Sequence, residues 1–477
     1  MPPLGLLTIA ALIPKQHNVK LIDINVEELK SEDIIWADIV CISAMIVQKE
    51  SLRAIIKRCN KFKVPAAVGG PYATFSYASI KGVNHFILGE AERTFPKFLK
   101  DFEEGRAKII YYDKEKEMID MNDENLCPVP RYGLISYENY VSATIQISRG
   151  CVFNCEFCNI VEMFGRKIRV KSIFQILNEL DLLHSLGWRG GLFIADDNLA
   201  AISNIKEILK DIINWQQNRN FPFSFGTQLS INYLKDEELL NLLVEANFDF
   251  VFVGIESPSV EVLQSIGKRQ NMNISLVDTI KKVQERGIEV IAGLIVGFDT
   301  DPEDIFQQQI EFIESAGITR PLIGLLTALP STRLQRRLIS EGRFIKESAG
   351  NHTHILDLNF ESKMDKERLI SSYTNMLTYL YKPRNYFARC FAFLKQAHFS
   401  KLSTCKANIK QRALLRVLLT QITSFYWRDY LKFIIKVILC CPYSIKEALY
   451  LAIVGHHFIL LTDQMKKNPE VAKKNNP

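Results

Sequence analysis

No stretch of this 477-residue chain supplies the ~20 consecutive apolar residues that a membrane-spanning helix needs. The nearest runs, Leu431–Cys441 and Ala448–Leu461, are interrupted by Lys436 and by the His456-His457 pair. The N-terminal Met1-Pro2-Pro3 lacks a basic leader and a cleavage site, which argues against a secretory signal. Nor do the ten cysteines form a disulfide framework. Three fall together, and Cys41, Cys59, Cys127, Cys390, Cys405, Cys440 and Cys441 are scattered. That usage points to a reducing cytoplasm.

With 47% hydrophobic and 23% charged residues, the chain has the composition of two or three globular domains, each with its own core. The net charge of +6 conceals a division. From Tyr381 to Pro477, 17 Lys and Arg stand against 4 Asp and Glu, while the preceding residues carry 42 against 49. A basic, aromatic and apolar segment on an acidic body suits an anionic partner, and a membrane surface or lipid better than nucleic acid. An ordinary basic helical cap has the same composition.

The densest chemistry lies in Ser148-Arg149-Gly150-Cys151-Val152-Phe153-Asn154-Cys155-Glu156-Phe157-Cys158. Three thiols at spacings of four and three follow an extended run and leave a fourth ligand position open. Structural zinc wants four closed ligands, whereas a thiolate-held iron–sulfur cluster can keep one iron free for a small molecule. A zinc loop completed from a distance, or three unrelated buried thiols, are the alternatives.

Ahead of this loop the chain alternates strand and helix. Leu4–Leu12 reads as a buried helix, and Val19–Ile24, Ala37–Ser43, Val64–Val68 and His85–Leu88 read as strands. Lys49–Phe62 is an amphipathic helix with Leu52, Ile55, Ile56 and Cys59 on one face. The pattern predicts a parallel, doubly wound sheet whose turns Ser43-Ala44-Met45, Gly69-Gly70-Pro71 and Gly89-Glu90 lie at the ligand-binding carboxyl edge. A Rossmann-type unit begins with a central strand, and none precedes Leu4 here. After a mixed-charge connector over residues 103–142, strands are expected at 143–148, 191–195, 223–228, 250–255, 290–296 and 321–327, with helices between them. Six such units are too few for a closed eight-stranded barrel.

The ends of those strands carry polar or glycine-rich turns. Asp196-Asp197-Asn198 would offer acceptors to an ammonium group, or else cap the next helix. Gln228 and Glu256-Ser257 follow on the next two strands, and Gly293 and Gly297 bracket the fifth, permitting close backbone approach. Arg333 and Arg337 read as surface charges, and His352 and His354, alternating as on a strand, as structural or substrate-facing groups.

The cysteine spacing, the Val68-Gly69-Gly70-Pro71 and Gly89-Glu90-Ala91-Glu92 turns and the order of strand ends together resemble the cobalamin-dependent radical S-adenosylmethionine (SAM) methyltransferases, closest in look to the hopanoid C-methylase branch. The resemblance implies an α/β fold with a Rossmann-like cobalamin-binding domain over residues 1–102, short of its first strand. A partial (β/α)6 radical SAM barrel over 143–345, a basic helical domain over 346–467 and a disordered tail over 468–477 follow. It implies that Cys151, Cys155 and Cys158 hold a 4Fe–4S cluster. SAM would lie near Phe157, Asp196, Asp197, Asn198, Gln228, Glu256, Ser257, Gly293 and Gly297, and cobalamin near Ser43, Ala44, Gly69, Gly70, Pro71, Gly89 and Glu90. There is no D-x-H-x-x-G, hence no histidine offered as lower ligand to cobalt. The implied reaction is methylation of an unactivated carbon in a hydrophobic substrate, a membrane lipid or terpenoid, with no protein acid or base. It would draw electrons from a flavodoxin or ferredoxin, in the cytoplasm or at the inner membrane face. Radical cyclisation, coupling or oxidation without methyl transfer is the alternative, and a non-catalytic corrinoid or cluster carrier the third.

Overall fold

The computed structural model describes residues 1–113, 118–348, 350, 353–399 and 420–467. Four short parallel strands, β1 (Val40–Ser43), β2 (Ala66–Gly69), β3 (His85–Ile87) and β4 (Ile110–Tyr111), form the first sheet in the order β1-β2-β3-β4. The helix Lys49–Phe62 buries Leu52, Ile56 and Cys59, the three- and four-residue spacing that puts side chains on one face. It ends where Lys63 turns left-handed at φ 58°. Leu52 and Ile56 pack with Val68, Tyr72 and Phe86, so this helix covers one face of the sheet, while Phe95 and Phe98 of the helix Ala91–Glu103 cover the other.

One expectation fails in this domain. Val19–Ile24 forms no strand, and β1 is an edge strand, only partly buried where β2 is closed in. An apolar run becomes a strand only when a neighbour accepts its backbone groups. In a 2-1-3 order the neighbour of Val19–Ile24 would be the central strand, and no described residues take that place. Conversely β4, inside the expected connector, pairs with β3 through Phe86–Ile110 and Ile87–Tyr111 and extends the sheet.

The second sheet is six-stranded and parallel throughout. It runs β5 (Ser142–Ile145), β8 (Gly190–Ile194), β9 (Phe223–Leu229), β10 (Phe248–Glu256), β11 (Glu289–Val296) and β12 (Arg320–Leu325). A small antiparallel pair, β6 (Ser148–Arg149) with β7 (Arg169–Val170), is inserted after β5. Alternate residues such as Ile145, Leu192, Ile194, Phe225, Val251, Val253, Ala292 and Leu294 are buried in one core with the intervening helices. Each large side chain so buried contributes roughly 1.5–3 kcal/mol. The other face of β8 and β10 differs: Phe193, Phe250, Phe252 and Gly254 remain only partly covered. These residues line the inside of the arc, and the rings of Phe193 and Phe250 stack 6.1 Å apart.

The helices Lys366–Leu380, Pro383–Gln396, Trp427–Cys440 and Ile445–Lys467 close the far side of β12. Tyr373 and Tyr381 donate their hydroxyls to the carbonyls of Ile323 and Pro321 at 2.9 and 2.6 Å. Buried Arg389 donates to the carbonyls of Ile318 and Leu380 and pairs with Glu314. The stretch Pro442–Lys467 is, by length and mean hydropathy (1.3), able to cross a membrane, which the sequence reading did not expect of any segment. That is weak evidence, because the helix buries Ala448, Leu451, Ala452, Gly455 and Ile459 within this bundle. His354 lies on no strand. It is buried at φ 69°, accepts or donates through Nε2 to Thr462 at 2.9 Å, and sits against Tyr381 and Phe458. His352 and the tail 468–477 fall outside the described residues.

Candidate functional site

The cysteine loop begins at Gly150, where the backbone takes φ +100° and an added Cβ would lie 2.6 Å from the Lys167 carbonyl oxygen. Only glycine fits both demands. From there the loop is held on every side. The Gly150 amide donates to Asp197 (3.0 Å), the Cys151 amide to the Gly165 carbonyl (3.3 Å), and the Glu156 amide to the Ile266 carbonyl (3.0 Å). The Leu334 amide donates to the Glu156 carbonyl (2.9 Å) and Arg333 to the Asn154 carbonyl (3.2 Å). Arg337 joins the Glu156 carboxylate (2.7 Å) to Asp299 (2.7 Å). Arg333 and Arg337 are thus loop anchors and not the free surface charges their sequence context implied.

The three thiols share this loop. Burial pushes each of them up, Cys158 to about 12, and Cys151 and Cys158 also feel neighbouring thiols of the loop as like charge. Among the described residues no three His, Cys, Asp or Glu side chains converge as ligands to a single ion. Thiolates on separate irons of a cluster need no such convergence, and soft thiolate donors with no fourth partner suit a cluster with one open iron. The donor set therefore fits a 4Fe–4S cluster better than closed zinc. Gln270 reaches toward the Cys155 sulfur (3.9 Å), and Phe157 turns away to pack against Phe298.

Around the loop the strand ends divide into two kinds. Asp196 is fully buried. Its two oxygens accept from the Ile147 amide (2.8 Å) and the Ser148 hydroxyl (2.5 Å), and burial raises its carboxyl to about 6. It braces the strand leading into the loop, each oxygen already accepting one hydrogen bond from the protein. Asp197, also raised to about 6 by burial, gives one oxygen to the loop. Asn198 accepts from the Ser230 amide (3.0 Å), but its buried amide nitrogen has no partner among the described residues. Ser257 is buried, its hydroxyl accepting from the Ser259 amide, and so faces its own turn.

Gln228, Gly254, Glu256 and Gly293 alternate onto the inner face of β9, β10 and β11. Glu256 bonds Lys268 at 2.5 Å, and the Lys268 ammonium lies over the Phe157 ring. Burial would pull this lysine down, but Glu256 and then Cys155 outweigh it and hold it above the usual lysine range. An added Cβ at Gly254 would meet the Glu256 carboxylate at 2.5 Å and the Lys268 ammonium at 2.7 Å. Gly293 makes room for Phe252, 2.9 Å from its added Cβ, so its missing side chain accommodates a ring of the protein itself. Gly297, at φ +101°, donates its amide to Asp301 (2.6 Å) in the turn after β11. Lys268 was not identified from the sequence, where nothing local marks it.

At the carboxyl edge of the first sheet an added Cβ on Gly70 would lie 2.6 Å from the Ser43 hydroxyl, and one on Gly69 3.0 Å from the Ile87 carbonyl. The Tyr72 amide donates to the Ala44 carbonyl (3.1 Å) and the Gly89 amide to the Thr74 hydroxyl (3.1 Å). Ser43, Ala44, Gly69, Gly70, Pro71 and Gly89 therefore meet as one small-residue ledge, a cradle that fits a flat cofactor. Of the histidines in this domain, His17 pairs with Glu103, and His85 opens β3 at the opposite edge and bonds the Lys108 carbonyl. Glu90 is engaged elsewhere. Arg149 bonds Glu90 (2.9 Å) and Glu92 (2.6 Å), and Arg169 bonds Glu90 (2.8 Å). The arginine next to the cysteine loop thus grips the turn next to the ledge, with Glu90 as the shared clamp residue.

Family profiles match the chain as a B12 binding domain over residues 1–99, the Radical SAM superfamily over 145–340 and a domain of unknown function (DUF4070) over 332–470. An uncharacterized methyltransferase of Synechocystis sp. is 38% identical over 83% of this chain and 74% of its own length. The hopanoid C-2 methylase of Rhodopseudomonas palustris is 31% identical over 96% of this chain and 88% of its own. The cobalamin-dependent SAM radical enzyme OxsB, with aqua-cobalamin and SAM bound, shares the fold at TM-score 0.61 and 17% identity, over 100% of this chain and 79% of that one. So does the radical SAM methyltransferase TsrM from Kitasatospora setae, at TM-score 0.58 and 13% identity over 90% and 91%. With a B12 binding domain joined to a radical SAM domain, and two relatives above 30% identity over most of their length, the chain belongs to the cobalamin-dependent radical SAM methyltransferases, enzymes whose cofactors are cobalamin, SAM and a 4Fe–4S cluster.

Proposed function

We propose that this enzyme methylates an unactivated carbon of a hydrophobic substrate, a terpenoid lipid of the hopanoid kind. The observation that carries methyl transfer is the Arg149 clamp, which ties the small-residue ledge to the cysteine loop through Glu90 and Glu92. Methyl transfer needs a cobalamin surface held in register with the cluster loop, and the clamp would supply that register. The partly exposed rings of Phe193, Phe250 and Phe252 inside the arc support an apolar substrate, as does the named relative.

Cys151, Cys155 and Cys158 would hold the cluster, while Gln228, Glu256 with Lys268, and the free amide nitrogen of Asn198 would meet SAM. When bound, cluster and SAM supply the means to take hydrogen from carbon, and cobalamin supplies the methyl group. The chain's own contribution is to hold the loop rigid, align the two cofactor surfaces and exclude water. It provides no general acid or base.

The test is anaerobic reconstitution with iron, sulfide, cobalamin and SAM, reduced by flavodoxin and presented with a hopanoid. The expected product is heavier by one CH2 per turnover, with 5′-deoxyadenosine formed and Cys155→Ala inactive. A product lighter by two hydrogens would replace methylation by ring closure. Cofactor binding without 5′-deoxyadenosine would make the protein a carrier.

A further inference from the structure

The helix Trp427–Cys440 has two unlike faces. Tyr430, Phe433 and Val437 are buried against the neighbouring helix, with the rings of Phe387 and Phe433 4.9 Å apart. The opposite face presents Ile435, Ile438 and Leu439 to solvent, Leu439 77% exposed, and just beyond the helix Tyr443 is 99% exposed. Ile422, Phe425 and Trp427 extend the patch toward the start of the helix. Of the 24 large apolar side chains exposed among the described residues, seven lie between 422 and 443. Isolated exposed apolar residues need no explanation, but a contiguous patch marks an interaction surface.

The same face carries Arg428, Lys432 and Lys436, all exposed, and Lys446 follows. The helix has one acid, Asp429, which is half-buried at the margin. Apolar side chains flanked by cations, with tryptophan and tyrosine at the ends, are the composition of a helix lying in a bilayer interface. At 1.5 Å per residue its 14 residues span about 21 Å, short of the ~30 Å hydrocarbon core, so it would lie along the surface.

We propose that this face docks the enzyme onto an anionic lipid bilayer. A second copy of the chain is a poorer occupant, because a twofold contact would set Arg428 and Lys432 of one copy against those of the other. The surface carries this inference independently of the methylation chemistry.

Co-sedimentation of the full chain with phosphatidylcholine vesicles, with and without phosphatidylglycerol, tests it. Binding is expected to the anionic vesicles and to weaken with salt. Ile435→Glu/Leu439→Glu and Arg428→Glu/Lys432→Glu should each lower the bound fraction about tenfold or more, with circular dichroism unchanged, since all four side chains are exposed. No binding to anionic vesicles, or binding that both variants retain, overturns the proposal. So does a concentration-dependent dimer that Leu439→Glu abolishes in a protein that ignores vesicles.

Discussion

The cysteine loop and the ledge of the first sheet are both turns at the carboxyl ends of parallel strands, yet they are built by different means. The loop is fixed by side chains reaching in from distant elements: Asp197 after β8, Arg333 and Arg337 beyond β12, and the backbone of Ile266 after β10. The ledge is shaped by what is missing, since Gly69 and Gly70 let neighbouring turns approach and few side chains hold them. The loop is braced by the protein's own side chains, whereas the ledge offers a small-residue surface. Arg149 and Glu90 are where the two constructions join.

The largest effect should come from the join. Arg149→Ala takes the ion-pair partner from Glu92 and leaves Glu90 to Arg169 alone in a nearly closed environment, and breaking such a pair costs about 3–5 kcal/mol. Urea unfolding of the apo protein should show it. Gly150→Ala acts on the loop alone, forcing an alanine to φ +100° with its Cβ on the Lys167 carbonyl. A penalty of about 1–3 kcal/mol follows, and iron and sulfide bound per chain after reconstitution should fall sharply. Gly70→Ala is the matching change on the ledge, where the Cβ meets the movable Ser43 hydroxyl in a backbone at φ +84°. Cobalamin affinity, followed by absorbance, should drop while cluster content stays.

The last effect depends on pH and concerns Asp301, whose one oxygen accepts from the Gly297 and Phe298 amides while the other is buried without a partner among the described residues. Burial raises its carboxyl from 3.8 to about 7. The folded state therefore binds the proton more tightly than the unfolded chain. Asp301 helps stability below pH ~4, and that help is lost as pH rises toward 7. Asp301→Asn should gain on wild type progressively across that window, by about 4 kcal/mol at its upper end, and hold level above it, in urea melts at several pH values.

The strand–helix alternation was legible because buried parallel strands are short apolar runs bounded by turns, and β8 to β12 fall where such runs lie. The cysteine loop was legible because its ligands are local. Val19–Ile24 was misread since an apolar run does not reveal whether a neighbour exists to pair with it. Asp196 and Glu90 were assigned to ligands because carboxylates at strand ends can serve ligands. Whether their oxygens are free depends on Ser148 and Arg149, 48 and 59 residues away. Lys268 and Arg337 were missed or misread for the same reason: what engages them is distant in sequence. The glycines carried a real signal with a mistaken cause at Gly293, where Phe252 fills the space expected to admit a ligand.

The central claim is that Arg149 and Glu90 make one reaction site out of two cofactor surfaces. Its most direct test is the ratio of methylated product to 5′-deoxyadenosine in wild type and in Glu90→Gln, which weakens the clamp without emptying it. The account predicts that 5′-deoxyadenosine formation persists while methylated product falls at least fivefold relative to it. An unchanged ratio would show that the two surfaces keep their alignment without the clamp, and would contradict it.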